Sequence, residues 1–191
     1  GFSYIEHRDN VALALAVCAE LGVKREVALR GMWRAIPDPG VLTRSMVEHQ
    51  GRVATLFNAF AANDPESSLM VWRKLRDEGH LVGQRFVLLN TRPDRKDRAE
   101  QLAHLVATSL ASEVDAVFLM GSPTDAVQRS LRAHGMNVER IIDLGRAEPT
   151  AIFHAILAAT RERSSVVAIG NMGGQGASTV AYFDTRKQRH G

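Results

Sequence analysis

The chain has one cysteine, few aromatic residues and no apolar run near the roughly 20 residues a membrane helix needs. A lone Cys18 excludes an internal disulfide and points to a reducing compartment. It lies in an Ala/Leu/Val-rich helical stretch and reads as a buried, unreactive thiol. One cysteine and seven scattered histidines do not supply the ligand spacing of a zinc site, so no metal ligand is assigned. Aromatics make up 6% and do not alternate with basic residues, so no base-stacking surface and no nucleic-acid partner are expected. A Gly-x-Ser-x-Gly elbow is missing. So is a glycine-rich loop ending in Lys-Ser/Thr. The chain therefore offers no catalytic residue of its own.

What is there is ordinary for a globular protein. Of 191 residues, 45% are hydrophobic and 24% charged. The length suits one domain plus a piece of another. The net charge of +3, with a pI near 9.4, suits an anionic small substrate or polymer.

Two helices are predicted first, over residues 9–21 and 25–35. Val11, Ala14, Leu15 and Cys18 form a stripe on one, and Val27, Met32 and Ile36 are the expected contacts of the other. Pro37-Asp38-Pro39-Gly40 then stops helical structure and reads as a hinge. Gln50-Gly51 sits between two strand-like runs, residues 41–48 and 52–57, as a hairpin turn does. From there strands and helices alternate. Strands are expected at 53–57, 85–90, 116–120, 140–144 and 166–169. Helices are expected at 65–78, 95–110, 123–134 and 149–160, with a short one from about Gly176. The strands are continuous apolar runs, the pattern of a sheet covered on both faces. The expected fold is therefore α/β: a Rossmann-like, mostly parallel sheet with one antiparallel leading strand. It divides into residues 1–36, the last helices of an upstream domain; 37–40, the hinge; and 41–191, the α/β domain. The chain starts without methionine and reads as the C-terminal part of a longer protein.

In such a sheet ligands bind beyond the carboxyl ends of the strands, and four loops there carry informative residues. In the first, small residues follow Phe57-Asn58, and Asn63-Asp64-Pro65 opens a helix with Asp64 as N-cap and Pro65 at its first position. The second is Asn90-Thr91-Arg92-Pro93-Asp94-Arg95-Lys96-Asp97-Arg98, with Asp94 as the expected N-cap. Arginines at a strand's carboxyl end suit carboxylate or phosphate, because the guanidinium fork binds such groups with two hydrogen bonds. The plain alternative is a solvated basic helix start. In the third, Ser122, Pro123 and Asp125 read as a helix cap, with no ligand needed to explain them. The fourth, Gly170-Asn171-Met172-Gly173-Gly174-Gln175-Gly176, permits close approach of backbone.

The run from Phe57 to Ser68 resembles the D-x-Y-x-A-N-P-x-S motif of the Mur ligase superfamily's C-terminal domain. Asn58 stands for the motif's first Asp, Phe60 replaces Tyr, and Asp64 is inserted before Pro65. Together with NTRPDR and GNMGGQG, the wording is most similar to the poly-gamma-glutamate (capsule) synthase branch of that superfamily. The helix from Asp9 to Ala16 resembles the family's H-N-V-x-N-A-L-A helix, with Asn10 matching the first Asn.

The resemblance implies an ATP-dependent acid–amino-acid ligase working through an acyl phosphate and adding glutamate to poly-gamma-glutamate. ATP and Mg²⁺ would be bound mainly by an upstream domain, and this piece alone is expected to be inactive. The resemblance implies nucleotide contacts at Asn58, Asn10 and His7. It implies substrate contacts at Arg92, Asp94, Arg95 and Asn63. The loop glycines Gly170, Gly173, Gly174 and Gly176, with Asn171, would form an interface or substrate loop. Implied partners are glutamate or the growing chain and the membrane subunits of a synthase complex, which place the protein in the cytoplasm at the inner membrane face. Self-association stays open. The rival reading is a non-catalytic Rossmann-like nucleotide-binding or interaction module.

Overall fold

Residues 8–35 and 42–187 are described by the structure, a computed structural model. The chain opens with two helices, α1 (Arg8–Glu20) and α2 (Arg25–Arg34), which pack on each other. The stripe of Val11, Ala14, Leu15 and Cys18 exists but is only half-buried, so Cys18 is not the enclosed thiol expected. On α2 the buried residue is Ala28, while Val27 is exposed. Met32 is half-buried. Ile36, the hinge at 37–40 and His7 lie outside the described residues.

The α/β part then runs β1 (Thr43–His49), β2 (Arg52–Asn58), α3 (Pro65–Asp77), β3 (Gln84–Thr91), α4 (Lys96–Thr108), β4 (Ala116–Gly121), α5 (Asp125–Ala133), β5 (Ile141–Gly145), α6 (Pro149–Ala159), β6 (Arg163–Gly170) and α7 (Gln175–Asp184). Strands β1 and β2 form the expected hairpin, with His49 opposite Arg52. Its turn puts Gln50 and Gly51 at φ of 51° and 76°, the left-handed pair that matches strand twist. The remaining pairs are all parallel, and the sheet order is β1-β2-β6-β3-β4-β5.

Alternate strand residues feed two cores. Val87, Leu89, Val117, Leu119, Val167 and Ile169 meet Trp72 and Leu75 of α3, Leu102 and Val106 of α4, and Val127 and Leu131 of α5. Phe86, Leu88, Phe118, Met120 and Val166 meet Ile152, Phe153 and Ile156 of α6 and Phe183 of α7. Most of these side chains are fully buried, and each contributes about 1.5–3 kcal/mol of apolar transfer energy. The arrangement has a positional consequence. Adjacent strands β3 and β6 send their following helices, α4 and α7, to opposite faces of the sheet. A crevice opens at such a switch of direction, at the strands' carboxyl ends.

Two helix starts differ from expectation. Asp94 does not cap α4. A single 3-10 turn, Pro93–Arg95, precedes the helix, and Arg95 occupies the cap position without a side-chain bond. The carboxylate of Asp94 is taken by Arg92 instead. Helix α5 starts at Asp125 rather than Pro123, with Thr124 before it. The Thr124 hydroxyl donates across to Asp143 Oδ2 at 2.9 Å, so it does not cap the helix either.

Candidate functional site

Asn90, near the end of β3, organises the crevice. It is 1% exposed. Its Nδ2 donates to the carbonyl of Asn171 and, at 2.9 Å, to that of Gly173. The loop after β6 therefore hangs from one amide. Glycines make room for this. A Cβ on Gly170, at φ +103°, would lie 2.5 Å from the Asn90 carbonyl, and one on Gly176 would lie 2.6 Å from the Asn171 carbonyl. On the other side, Thr91 Oγ1 donates to the Met120 carbonyl at 3.1 Å, tying β3 to β4. Asn90 Oδ1 is buried without a hydrogen-bond partner among the described residues.

Beyond this frame lies a cleft of about 550 Å³. One wall is Thr91, Arg92, Pro93 and Asp94, the floor includes Gly121 and Ser122, and the far wall is Arg146 to Pro149 with Gly174, Gln175 and Ser178 of the α7 start. Arg92 Nε and Nη2 donate to the two oxygens of Asp94 at 3.0 and 2.9 Å. The guanidinium also lies over Gly173, where a Cβ would meet Nη1 at 2.5 Å. Arg95 Nε stands 3.7 Å from Asp94 Oδ2. Partial burial pushes the Asp94 carboxyl up, but backbone and Arg92 hydrogen bonds and the charges of Arg92 and Arg95 win and hold it low. The pair is about half exposed, with Arg92 at 40% and Asp94 at 54%. Its energy is therefore small, and its effect is to fix where Arg92 points.

The far wall is held by Gln175, whose Nε2 donates to the Ala147 carbonyl. Gln175 Oε1 has no partner among the described residues. Arg146 and Glu148 are exposed. The cleft thus presents two guanidiniums, two serine hydroxyls and a carboxylate on Glu148. That set can hold carboxylates and an ammonium together.

Of the residues singled out from sequence, Arg92, Asp94 and Gly174 line the cleft, and Gly173 lies beneath Arg92. Arg95 lines an adjoining groove. Gly170, Asn171 and Gly176 stand behind the cleft as packing for Asn90. Asn58 is 5% exposed, its Oδ1 turned back toward the Phe60 amide at 3.5 Å. Asn63 is half-buried in the turn before α3, and Asn10 lies exposed on α1. The turn itself is well explained by structure: Asp64 Oδ1 accepts from the Ser67 amide at 3.0 Å, Ser68 Oγ donates to the Ala62 carbonyl at 2.7 Å, and Phe60 is 1% exposed. Ser122, expected to be only a cap, is on the cleft floor. Arg146, Glu148 and Ser178 were not anticipated, and Gln175 was read only as part of the glycine loop. The strand-end rule, applied to the loop after β5, would have found the first two.

Among the described residues no three metal-ligating side chains converge. The glycine loop is not a phosphate cradle: Gly170 and Gly176 are filled by Asn90 and Asn171, and no Lys follows. The residues of that loop do not fit the phosphates of ATP.

Comparison with known proteins identifies the family and the fold. Residues 43–186 match the family model described as Poly-gamma-glutamate synthase CapB C-terminal domain. The chain is 42% identical over 123 residues to the capsule biosynthesis protein CapB of Bacillus anthracis, covering 64% of this chain and 26% of that protein. It is 31% identical over 143 residues to the PGA synthase CapB of Bacillus subtilis (strain 168), covering 75% and 36%. The chain thus spans about a third or less of these relatives. Among solved structures, a MurF from Acinetobacter baumannii superposes with a TM-score of 0.64 at 15% identity, over 92% of this chain and 37% of that one. A bifunctional folylpolyglutamate/dihydrofolate synthase from Yersinia pestis, complexed with AMPPNP and Mn, gives 0.57 at 18% identity, over 90% and 37%. At these identities the two structures establish the fold alone.

Proposed function

Because the chain belongs to the poly-gamma-glutamate synthase CapB C-terminal domain family, we propose that it acts as the C-terminal domain of an ATP-dependent amide ligase that adds glutamate to poly-gamma-glutamate. The observation that carries the reading is the cleft at the β3/β6 switch point, lined by Arg92, Arg146 and Glu148. Free glutamate has two carboxylates and one ammonium. The cleft offers a guanidinium for each carboxylate and a carboxylate, Glu148, for the ammonium. Asp94 keeps Arg92 facing the cleft, and Gln175 keeps the far wall in place.

ATP with Mg²⁺ would supply the phosphoryl group that activates the acceptor's carboxylate, and that group would leave as phosphate when the glutamate amine forms the amide. The phosphates of ATP belong to a preceding domain, with no role for the glycine loop. Contacts of Asn58, Asn10 and His7 with the nucleotide, and of Asn63 with substrate, are part of the proposal. The α1–α2 pair belongs to that preceding domain: the family match starts after it, and Leu13, Val17, Leu21 and Trp33 stay 69%, 53%, 76% and 42% exposed. The isolated piece should therefore be inactive. Among the described residues no helix is long and apolar enough to cross a membrane. Placement at the inner membrane face would come through membrane subunits of a synthase complex.

The test is phosphate release by the full-length protein with ATP and Mg²⁺, with and without glutamate and a short γ-glutamyl acceptor. Release that requires an amino acid and yields a longer γ-glutamyl product supports the reading. Release indifferent to amino acids would reject it in favour of a nucleotide-binding module.

A further inference from the structure

The cleft does not end at Asp94. Pro93 and Asp94 also line a second groove of about 510 Å³, whose other walls are Arg95, Lys96, Asp97, Arg98 and Gln101. The two depressions share those two residues and so adjoin along one stretch of surface at Pro93–Asp94. Along it stand five cations, Arg92, Arg146, Arg95, Lys96 and Arg98, against three carboxylates, Asp94, Asp97 and Glu148. Asp94 is committed to Arg92 and reaches Arg95. Lys96, Arg98 and Arg146 make no ion pair among the described residues. Asp64, at the start of α3, is near enough for the charge of Arg98 to help hold its carboxyl low, after the larger pull of the Ser67 hydrogen bonds.

Free glutamate needs only the inner cleft. A γ-linked polymer is different in kind: every residue leaves one free carboxylate, so the chain is a string of regularly spaced anions. A row of cations leading away from the cleft, of which Lys96 and Arg98 make no ion pair among the described residues, matches a string, not a single amino acid. We propose that the outer groove of Arg95, Lys96 and Arg98 is a binding track for the growing γ-glutamyl chain, distinct from the glutamate cleft it adjoins. A chain lying in the track brings its terminal residue to the Pro93–Asp94 junction, beside the amino acid in the cleft. The inference rests on the glutamyl reading above. It adds that affinity rises with chain length, through contacts remote from the reacting end.

The test measures binding of fluorescently labelled γ-glutamyl dipeptide and decapeptide to the full-length protein. Three proteins are compared: wild type, Lys96→Gln/Arg98→Gln, and Arg44→Gln/Arg163→Gln. The last removes the same charge from two exposed arginines, Arg44 on edge strand β1 and Arg163 at the start of β6, outside both depressions. The wild type should bind the decapeptide tighter than the dipeptide. The Lys96/Arg98 variant should lose about three- to ten-fold in decapeptide affinity, two exposed charge contacts, with dipeptide affinity kept. The Arg44/Arg163 variant should match wild type. An undiminished length advantage in the Lys96/Arg98 variant would overturn the track and leave the glutamate cleft standing. Equal loss in both variants would reduce it to an effect of net charge and overturn it too. Failure of the wild type to bind either peptide would overturn the glutamyl reading itself.

Discussion

Asp94 grips Arg92 with both carboxylate oxygens, at 3.0 and 2.9 Å, across a two-residue separation in sequence. Pro93 between them starts the 3-10 turn that folds one side chain back onto the other. Both are too exposed for the pair to stabilise the fold much. What it does is aim a guanidinium along the mouth of the cleft, with Gly173 as the shelf beneath it.

Removing that aim should be felt in substrate binding rather than in folding. Asp94→Ala is expected to raise the KM for glutamate about two- to five-fold, the range of an exposed ion pair. Asp94→Asn, which keeps one acceptor oxygen, should do less. Thermal unfolding of both should stay close to wild type. Steady-state kinetics and a melting curve check the two halves.

The frame behind the cleft should behave oppositely. Asn90→Asp replaces the donor to two carbonyls with a buried acceptor, leaving both unpaired at about 1–3 kcal/mol each. Gly170→Ala forces a Cβ to 2.5 Å from the Asn90 carbonyl at a φ of +103°. Each should lower stability by about 2 kcal/mol or more, measured by denaturant titration. A variant within 0.5 kcal/mol of wild type, on the scale of about ±0.5 for neutral surface changes, would show that the loop does not hang from Asn90.

Asp64 is the third case. Hydrogen bonds from Ser67 hold its carboxyl below the usual range, against a smaller push from burial. A group with a depressed folded pKa stabilises fully above its unfolded pKa, and the contribution is lost as pH falls through the folded value. Asp64→Ala should cost about 0.5–2 kcal/mol at neutral pH. The difference from wild type should shrink in acid. Unfolding measured at neutral and acidic pH reads both.

Glu113, in the turn before β4, joins Trp72, Arg76 and Arg85. Its Oε2 accepts from the indole Nε1 of buried Trp72 at 3.1 Å, and its Oε1 meets Arg76 Nη1 at 3.0 Å. The Trp72 hydrogen bond is the main reason its carboxyl sits low, with burial opposing and Arg76 and Arg85 helping. Glu113→Leu should cost about 1–3 kcal/mol, since it strands the indole N–H. Glu113→Gln, which keeps an acceptor, should cost less. As with Asp64, the wild-type contribution should fade as pH drops. Trp72 fluorescence during unfolding checks this.

The fold was legible because its signals are local. Gln50-Gly51 dictates a turn, Asp64-Pro65 dictates a helix start, and short apolar runs between amphipathic helices dictate a covered parallel sheet. What escaped depended on contacts between distant residues. Asp94 looks like a cap until Arg92 competes for it. Ser122 reads as helix-start chemistry until the cleft floor comes near. The glycines after β6 resemble a ligand loop, yet Gly170 and Gly176 are small because Asn90, about eighty residues earlier, must fit beside them. Arg146 and Glu148 carry no motif. Only sheet order brings them opposite Arg92.

The central claim is that Arg92, held by Asp94 at the switch point, binds the glutamate that the ligase adds. The direct measurement is glutamate-dependent phosphate release by the full-length protein, wild type against Arg92→Ala, with glutamate and ATP varied separately. Loss of a charge-assisted hydrogen bond, about 1.5–3 kcal/mol, should raise the KM for glutamate roughly ten- to hundred-fold. The KM for ATP should stay unchanged. A glutamate KM equal to wild type in a well-folded variant, or a shift in the ATP KM instead, would contradict the account.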